Sequence, residues 1–264
     1  MTWAGEAAGI APVRLAPFSR SLPYASFTDA LLLRAIATWS ERRVLGIYGL
    51  DRILPAHDPF ILALNHSTRL EAILVPALLM HLRGGRHIHF MADWNFRLIP
   101  GVGFLYRRAR VITVARKPAR PRLLNVLRPL LTDAVSPLEA ARSHLLQGRP
   151  LGVFPEGTVN RDPERLLRGR YGIARLALET GVPVIPAGLR FPGVRPGGPV
   201  GEGAPFELHI GEPIASQGDA APVATGARMR ALHGRVMRSI GHLSGKTWSG
   251  HSEEETSHDD LIAH

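Results

Sequence analysis

The sequence predicts an α/β domain: one largely parallel or mixed central sheet flanked by helices, preceded by an amphipathic helical segment. Two observations carry the prediction. Short apolar runs alternate with helical stretches from Val44 onward, the pattern of a sheet whose strands are covered on both faces. Three of those runs also end in polar, chemistry-bearing segments, NHSTRLE, ARKPAR and PEGTVNR. Open α/β sheets place their ligands at the carboxyl ends of strands.

Residues 1–24 carry Ala, Gly, Pro and Arg without periodicity and are expected to be loosely ordered. From Ser26 a helix is expected, over residues 25–43. Phe27, Leu31, Leu32, Ile36 and Trp39 share one stripe, and Arg42-Arg43 closes the end where cations suit the dipole. That stripe either packs on the domain or meets a membrane surface, since Trp and Arg beside Leu suit an interfacial helix. VLGIYG reads as a strand, Asp51 to Pro59 as turns, and FILAL as a second strand that leads through NHSTR into an apolar helix. HIHFM reads as a strand, NFRLIPGVGFLYRRA as a broken helix and VITVAR as another strand. SPLEAARSHLLQG is a helix with Ser136 as N-cap, Pro137 at the first position, Glu139 completing a capping box and Gly148 at the stop. LGVF, VPVIPAGL and FELHIGEPI read as strands, GIARLALETG as a helix ending at Gly181, and PVATGARMRALHGRVMRSIGHL as the last helix. The domain is thus expected to span 44–243, with an acidic, disordered tail over 244–264.

The 264 residues are enough for one domain with a sizeable core. The chain lacks cysteine, which removes disulfides and thiolate chemistry and suits a reducing compartment. No signal peptide is legible at the N-terminus, and no apolar run of about 18 residues suggests a spanning helix. The net charge is +10 and nearly all the basic residues are Arg, which grips phosphate with paired hydrogen bonds. Nucleic acid, anionic lipid and phosphorylated substrates all fit that charge. A nucleic-acid-binding domain would interleave Lys/Arg with aromatics on an exposed face. Aromatics are only 6% of this chain and its strands are apolar, so no nucleic-acid partner is expected.

His66 and Glu71 are the first candidates for chemistry. Five residues on an ideal helix turn through about 140°, so the pair meets only if His66 lies in the turn before the helix and Glu71 in its opening turns. A carboxylate on one imidazole nitrogen fixes the tautomer and leaves the other as a base. Alternatively, His66 caps the helix and Glu71 answers the dipole. Phe154-Pro155-Glu156-Gly157-Thr158 exposes a carboxylate and then a glycine whose backbone a ligand can approach. Backbone N–H groups there can receive an anion or oxyanion; the alternative is an ordinary strand-to-loop turn. His87 and His89 alternate on one strand without a third ligand at suitable spacing, so no metal is expected. His81 and His144 read as helix-surface residues, Trp94 and Phe96 as packing.

His-x4-acid, the Phe-Pro-Glu-Gly-Thr block and the later Val-Pro-Val-Ile-Pro-Ala strand, in this order, resemble the glycerolipid acyltransferases of the lysophosphatidic acid (1-acylglycerol-3-phosphate) type. The likeness runs from about Val44 to Leu243 and includes IYGLDRILP, Arg170-Tyr171-Gly172 and IGEPI. It implies an O-acyltransferase of phospholipid biosynthesis, peripheral or monotopic on the cytoplasmic face of a membrane. The acyl donor would be acyl-CoA or acyl-carrier protein, used as a substrate with no cofactor. It further implies that His66 is the general base, that Glu71 orients it, and that the acceptor hydroxyl attacks the thioester without a covalent enzyme intermediate. Arg116 would bind the acceptor phosphate; in the other register of that motif Arg107 takes the place. Glu156, Gly157 and Thr158 belong to the acceptor-binding block and Pro186 to the last block. Glu156 cannot itself attract phosphate, so it is expected to hold an Arg or accept from a hydroxyl.

The chain departs from the pattern in having Glu at 71 where Asp is usual. Val159 and Asn160 also stand before Arg161, where the block usually continues directly with Arg. The competing readings are acylation of an ornithine-type or glycolipid acceptor, a thioesterase-like hydrolase, and a lipid-binding domain.

Overall fold

A computed structural model of the chain describes residues 15–93, 111–114, 135–216 and 225–250. Seven strands form one sheet: β1 (Val44–Tyr48), β2 (Ile61–Leu64), β3 (His89–Asp93), β4 (Ile112–Val114), β5 (Leu151–Val153), β6 (Val184–Arg190) and β7 (Phe206–Ile210). Their spatial order is β1-β7-β6-β2-β5-β3-β4. The described helices are α1 (Phe27–Ser40), α2 (Glu71–Leu82), α3 (Pro137–Leu146), α4 (Gly172–Thr180) and α5 (Gly226–Ser244). Two short 3-10 turns, Leu50–Ile53 and Pro55–His57, fill the stretch expected to be turns.

Every strand pair is parallel except β6 with β7. The exception follows from the connection. A parallel neighbour needs a crossover, usually helical, and the Gly- and Pro-rich residues 191–205 contain no helix. The chain therefore returns antiparallel beside the strand it left.

β2 is buried at all four positions because it has helices on both sides. Leu62 and Leu64 face one core with Leu74, Leu78 and Leu82 of α2. Ile61 and Ala63 face the other, with Ala141 of α3, Ile173 of α4 and Val236 of α5. The helix caps follow the sequence closely: Ser136 accepts from the Glu139 N–H, and Gly181 ends α4 in the left-handed region at φ 73°.

Several expectations are corrected. Leu15 and Leu22 of the supposedly loose N-terminal stretch are buried, Leu15 in the main core and Leu22 against Ala30, Leu33 and Met80. α1 turns Ala30, Leu33 and Ala37 inward. Its larger apolar residues Phe27, Leu31 and Trp39 are 85%, 62% and 51% exposed, because small side chains let α1 pack closely on α2. His81 is fully buried, its Nε2 3.1 Å from the Leu15 carbonyl oxygen. β3 begins at His89, leaving His87 before it. The boundary drawn after residue 243 falls too early: α5 ends at Ser244, and Lys246 to Trp248 pack on the domain. The broken helix with Trp94 and Phe96 and the remainder of the acidic tail lie outside the described residues.

Candidate active site

β2, β5 and β4 run in the same direction, so the ends of all three meet one edge of the sheet. Asn65 is where β2 leaves that sheet. Its side-chain amide takes over the ladder with β6: Nδ2 donates to the Leu189 carbonyl at 3.2 Å and Oδ1 accepts from the Leu189 N–H at 2.7 Å. A side chain imitating a peptide group lets the backbone turn away without orphaning buried polar atoms on β6.

His66 follows in that turn. Its backbone is held from the Phe-Pro-Glu-Gly-Thr block: the N–H donates to Glu156 Oε1 at 3.0 Å, and the carbonyl accepts from the Asn160 N–H at 2.7 Å. Its ring lies on Phe154, centroids 4.4 Å apart and planes 30° off parallel. Nδ1 sits 3.2 Å from Glu71 Oε1, with the carboxylate side chain only 2% exposed and the imidazole 11%. The two residues expected to pair do so, by the expected route: His66 lies in the turn and Glu71 opens α2. Nε2 makes no hydrogen bond among the described residues, which leaves it for a substrate proton.

Glu71 also serves the helix. Its Oε1 accepts from the Ser67 N–H, while Thr68 Oγ1 lies 3.4 Å from both Oε2 and the Glu71 nitrogen. These bonds close the turn between His66 and α2, whose N-cap, Leu70, has no side-chain cap of its own.

Glu156 plays a different part from the one expected. It is 5% exposed, and its carboxylate accepts from the His66 N–H, from Asn160 Nδ2 at 2.7 Å and from the Leu167 N–H at 2.9 Å. Buried among neutral N–H donors, it ties the two motifs together, and it holds no Arg among the described residues. Gly157, at φ 67°, lets the turn pass Arg170: a Cβ there would lie 2.6 Å from Arg170 Nε. Gly157 and Thr158 are exposed at the site's rim.

Arg161 pairs with Glu202 at 2.6 Å rather than standing free. Glu202 also accepts from the Arg69 and Leu70 N–H groups at 3.3 and 3.1 Å, at the start of α2. Burial raises the Glu202 carboxyl, but the two N–H donors and the Arg161 guanidinium outweigh it and hold the group below its ordinary value. Arg116 and Arg107 lie outside the described residues. No group of His, Asp or Glu able to hold a metal occurs among the described residues. Asn65, Asn160, Glu202 and Lys246 were not singled out from the sequence. Asn65 and Asn160 lie inside the quoted motifs, whereas nothing local marks Glu202 or Lys246.

Residues 47–190, more than half of the chain, match the family model for acyltransferases. The chain belongs to the acyltransferase family. This acyltransferase is 24% identical over 193 residues to a 1-acyl-sn-glycerol-3-phosphate acyltransferase of Bacillus subtilis, an alignment covering 73% of this chain and 85% of the relative. Its fold is similar to that of the 1-acyl-sn-glycerophosphate (LPA) acyltransferase PlsC from Thermotoga maritima, with a TM-score of 0.53 and 23% identity over 81% of this chain and 80% of that one. The match covers the His66 turn, the Glu156 block and the strand containing Pro186.

Proposed function

We propose that this acyltransferase moves a fatty acyl group from an acyl thioester, acyl-CoA or acyl-carrier protein, to the free hydroxyl of a phosphate-bearing lyso-lipid in phospholipid biosynthesis. The acceptor proposed is 1-acylglycerol-3-phosphate. The observation that carries the reading is the His66–Glu71 pair, at 3.2 Å and held by hydrogen bonds on both residues. Glu71 keeps the proton of His66 on Nδ1, so Nε2 takes the proton of the acceptor hydroxyl. The hydroxyl oxygen attacks the thioester carbonyl, the tetrahedral oxyanion collapses, and the departing thiolate recovers the proton from Nε2. Ester and free thiol are the products, with neither a covalent enzyme intermediate nor a cofactor.

Arg116 is assigned to the acceptor phosphate. It follows β4, whose carboxyl end faces the same sheet edge as His66, whereas Arg107 precedes that strand. Gly157 and Thr158 form the acceptor's rim, and Arg161, tethered by Glu202, stands beside it.

The proposed acceptor is a lipid, so exposed apolar surface bears on how the protein meets it. Phe27, Leu31 and Trp39 of α1, and Phe18 and Tyr24 earlier in the chain, are exposed apolar side chains. Arg43 lies over the Trp39 ring at 4.2 Å. An apolar face with an arginine at its end suits contact with an anionic leaflet, where each cation contributes about 1 kcal/mol. No described helix is long and apolar enough to cross a membrane. We propose a place on the cytoplasmic face of a membrane, as a peripheral or monotopic protein.

The test is acyl transfer from palmitoyl or oleoyl thioesters to a panel of lyso-lipids, with products identified by mass. Transfer to 1-acylglycerol-3-phosphate that disappears in His66→Ala is expected. Transfer that survives that substitution refutes the role of His66, and thioester hydrolysis without acyl transfer refutes the acceptor assignment.

A further inference from the structure

Lys246 stands just beyond the glycine that ends α5, yet it is only 5% exposed. A buried ammonium is costly unless it is paired. Nζ donates to Ser67 Oγ at 2.9 Å, across 179 positions of sequence. The acidic groups that face it are Glu156 and Asp162 of the loop after β5 and Glu71 at the start of α2. Burial pushes the ammonium below its ordinary value, against the pull of those three carboxylates.

The backbone delivers this cation to a fixed place. The Lys246 N–H donates to the Gly241 carbonyl at 2.9 Å, and a Cβ at Gly241 would lie 2.7 Å from the Lys246 carbonyl oxygen. Thr247 exchanges bonds with the loop that follows the Glu156 turn, its N–H to the Glu164 carbonyl at 2.7 Å and its carbonyl from the Leu166 N–H at 2.8 Å. Trp248 Nε1 adds a bond to the Arg168 carbonyl at 3.0 Å.

Ser67, which Lys246 grips, is the residue whose N–H donates to Glu71. Apart from the His66 ring, the described groups bonded to the Glu71 and Glu156 carboxylates are uncharged N–H and O–H donors. Such donors satisfy lone pairs without cancelling two negative charges placed close together and out of water. A standing positive charge beside them does.

We propose that Lys246 is a positioning residue for acyl transfer. It pins the Asn65–Thr68 turn through Ser67 and sets a positive charge beside the Glu71 and Glu156 carboxylates, so that His66 stays aligned. The proposal rests on His66 being the base.

The experiment compares the full chain with Lys246→Met, Lys246→Arg and Ser67→Ala. It measures kcat, KM for both substrates, the pH profile of kcat/KM, thermal melting, and hydrogen exchange of the peptide covering residues 65–70. Lys246→Met should lower kcat about tenfold or more with KM changed less than about twofold, since misalignment harms the chemical step. Its acid limb should move up by at least about half a pH unit, because a cation that opposed protonation is gone. Lys246→Arg should keep the acid limb in place. Ser67→Ala should speed exchange in the 65–70 peptide while leaving that limb near wild type. A folded Lys246→Met protein with wild-type kcat and acid limb overturns the proposal. Should Lys246→Met fail to fold, wild-type exchange and kcat in Ser67→Ala overturn it instead. Activity that persists in His66→Ala removes the base assignment alone, and the exchange measurement still reports whether Lys246 holds the turn.

Discussion

Replacing Glu71 by Gln keeps the side chain's shape and removes its charge. The pair is separated by 3.2 Å between Nδ1 and Oε1, and the carboxylate is 2% exposed, so little water screens it. In the proposed mechanism His66 takes the acceptor's proton and becomes a cation beside that carboxylate. Unit charges about 4 Å apart at an effective dielectric of about 20 attract by about 4 kcal/mol. The attraction exists only after proton transfer, so its loss falls on the barrier, at about 1.4 kcal/mol per decade in rate. Glu71→Gln should therefore lower kcat about a thousandfold with KM for either substrate little changed. The amide adds to the damage, because an NH2 group replaces one oxygen among the donors Ser67 N–H and Thr68 Oγ1. Glu71→Asp keeps the charge on a shorter arm and should stay within about tenfold of wild type, since weakening of one charge-assisted hydrogen bond is all that the shorter reach costs. The assay is thiol release from the acyl thioester with mass identification of the product, on proteins matched for thermal melting. A folded Glu71→Gln enzyme retaining more than a tenth of wild-type kcat would refute this account of the pair.

Gly157→Ala places a Cβ at φ 67° and 2.6 Å from Arg170 Nε; the left-handed backbone costs about 1–2 kcal/mol, so a melting point lower by several degrees and reduced activity are expected. Asp58→Ala strands Arg83, whose fully buried guanidinium is pushed down to about 10, chiefly by burial. Breaking such a pair costs about 3–5 kcal/mol, and a melting point reduced by about 10 °C would register it. Burial holds His81 below its ordinary value of 6.5, helped by Arg20 and Arg34 and opposed by its bond to the Leu15 carbonyl. The unfolded chain then binds the proton first, so stability is full above pH 6.5 and falls as the pH drops below it; urea midpoints measured downward from pH 7 should show that slope, flatter in His81→Gln. Phe27→Ser with Leu31→Ser removes exposed apolar surface and should weaken sedimentation with anionic vesicles more than tenfold at about 1.5–3 kcal/mol per side chain, with thermal melting unchanged.

The parts of the fold legible in the sequence are those specified by local chemistry. Ser136, Pro137 and Glu139 announce a helix start through their own hydrogen bonds, and Gly181 announces a stop through a backbone angle that few other residues adopt. The parts that were misread depend on partners far along the chain. The α1 stripe was sound as a pattern, but packing chose the smaller face of Ala30, Leu33 and Ala37, because contact with α2 rewards close approach as well as apolar area. His81 looked like a surface residue because its helix is apolar all round, and a helix buried on every side gives no periodic signal to say which polar residue is inside. The antiparallel return of β7 was equally silent: its strand text reads the same in either direction, and only the missing crossover helix decides.

At the site the same division applies, and it explains how Glu can stand where Asp is usual. The His-x4-acid spacing was readable because both residues are local to one strand-to-helix turn. What the spacing does not contain is the reason His66 holds still. Its backbone is fixed by Glu156 and Asn160, which follow a different strand, while Asn65 ties the turn to β6 and Lys246 grips Ser67 from beyond the last helix. With the turn fixed from outside, the acid on α2 needs only to reach it. Glu71 reaches back over its own helix start to the Ser67 N–H, and that bond fixes the same oxygen, Oε1, that meets His66 Nδ1. An additional methylene adds a rotatable bond, and the hydrogen bonds to Ser67 and Thr68 remove that freedom before any substrate arrives. A Ser67→Pro substitution deletes the N–H that anchors the glutamate, and Ser67→Ala, which loses only the hydroxyl held by Lys246, is the reference that isolates that loss. Combined with Glu71→Asp, Ser67→Pro should show a smaller additional loss than in the wild-type background, because the two changes act on one anchoring device.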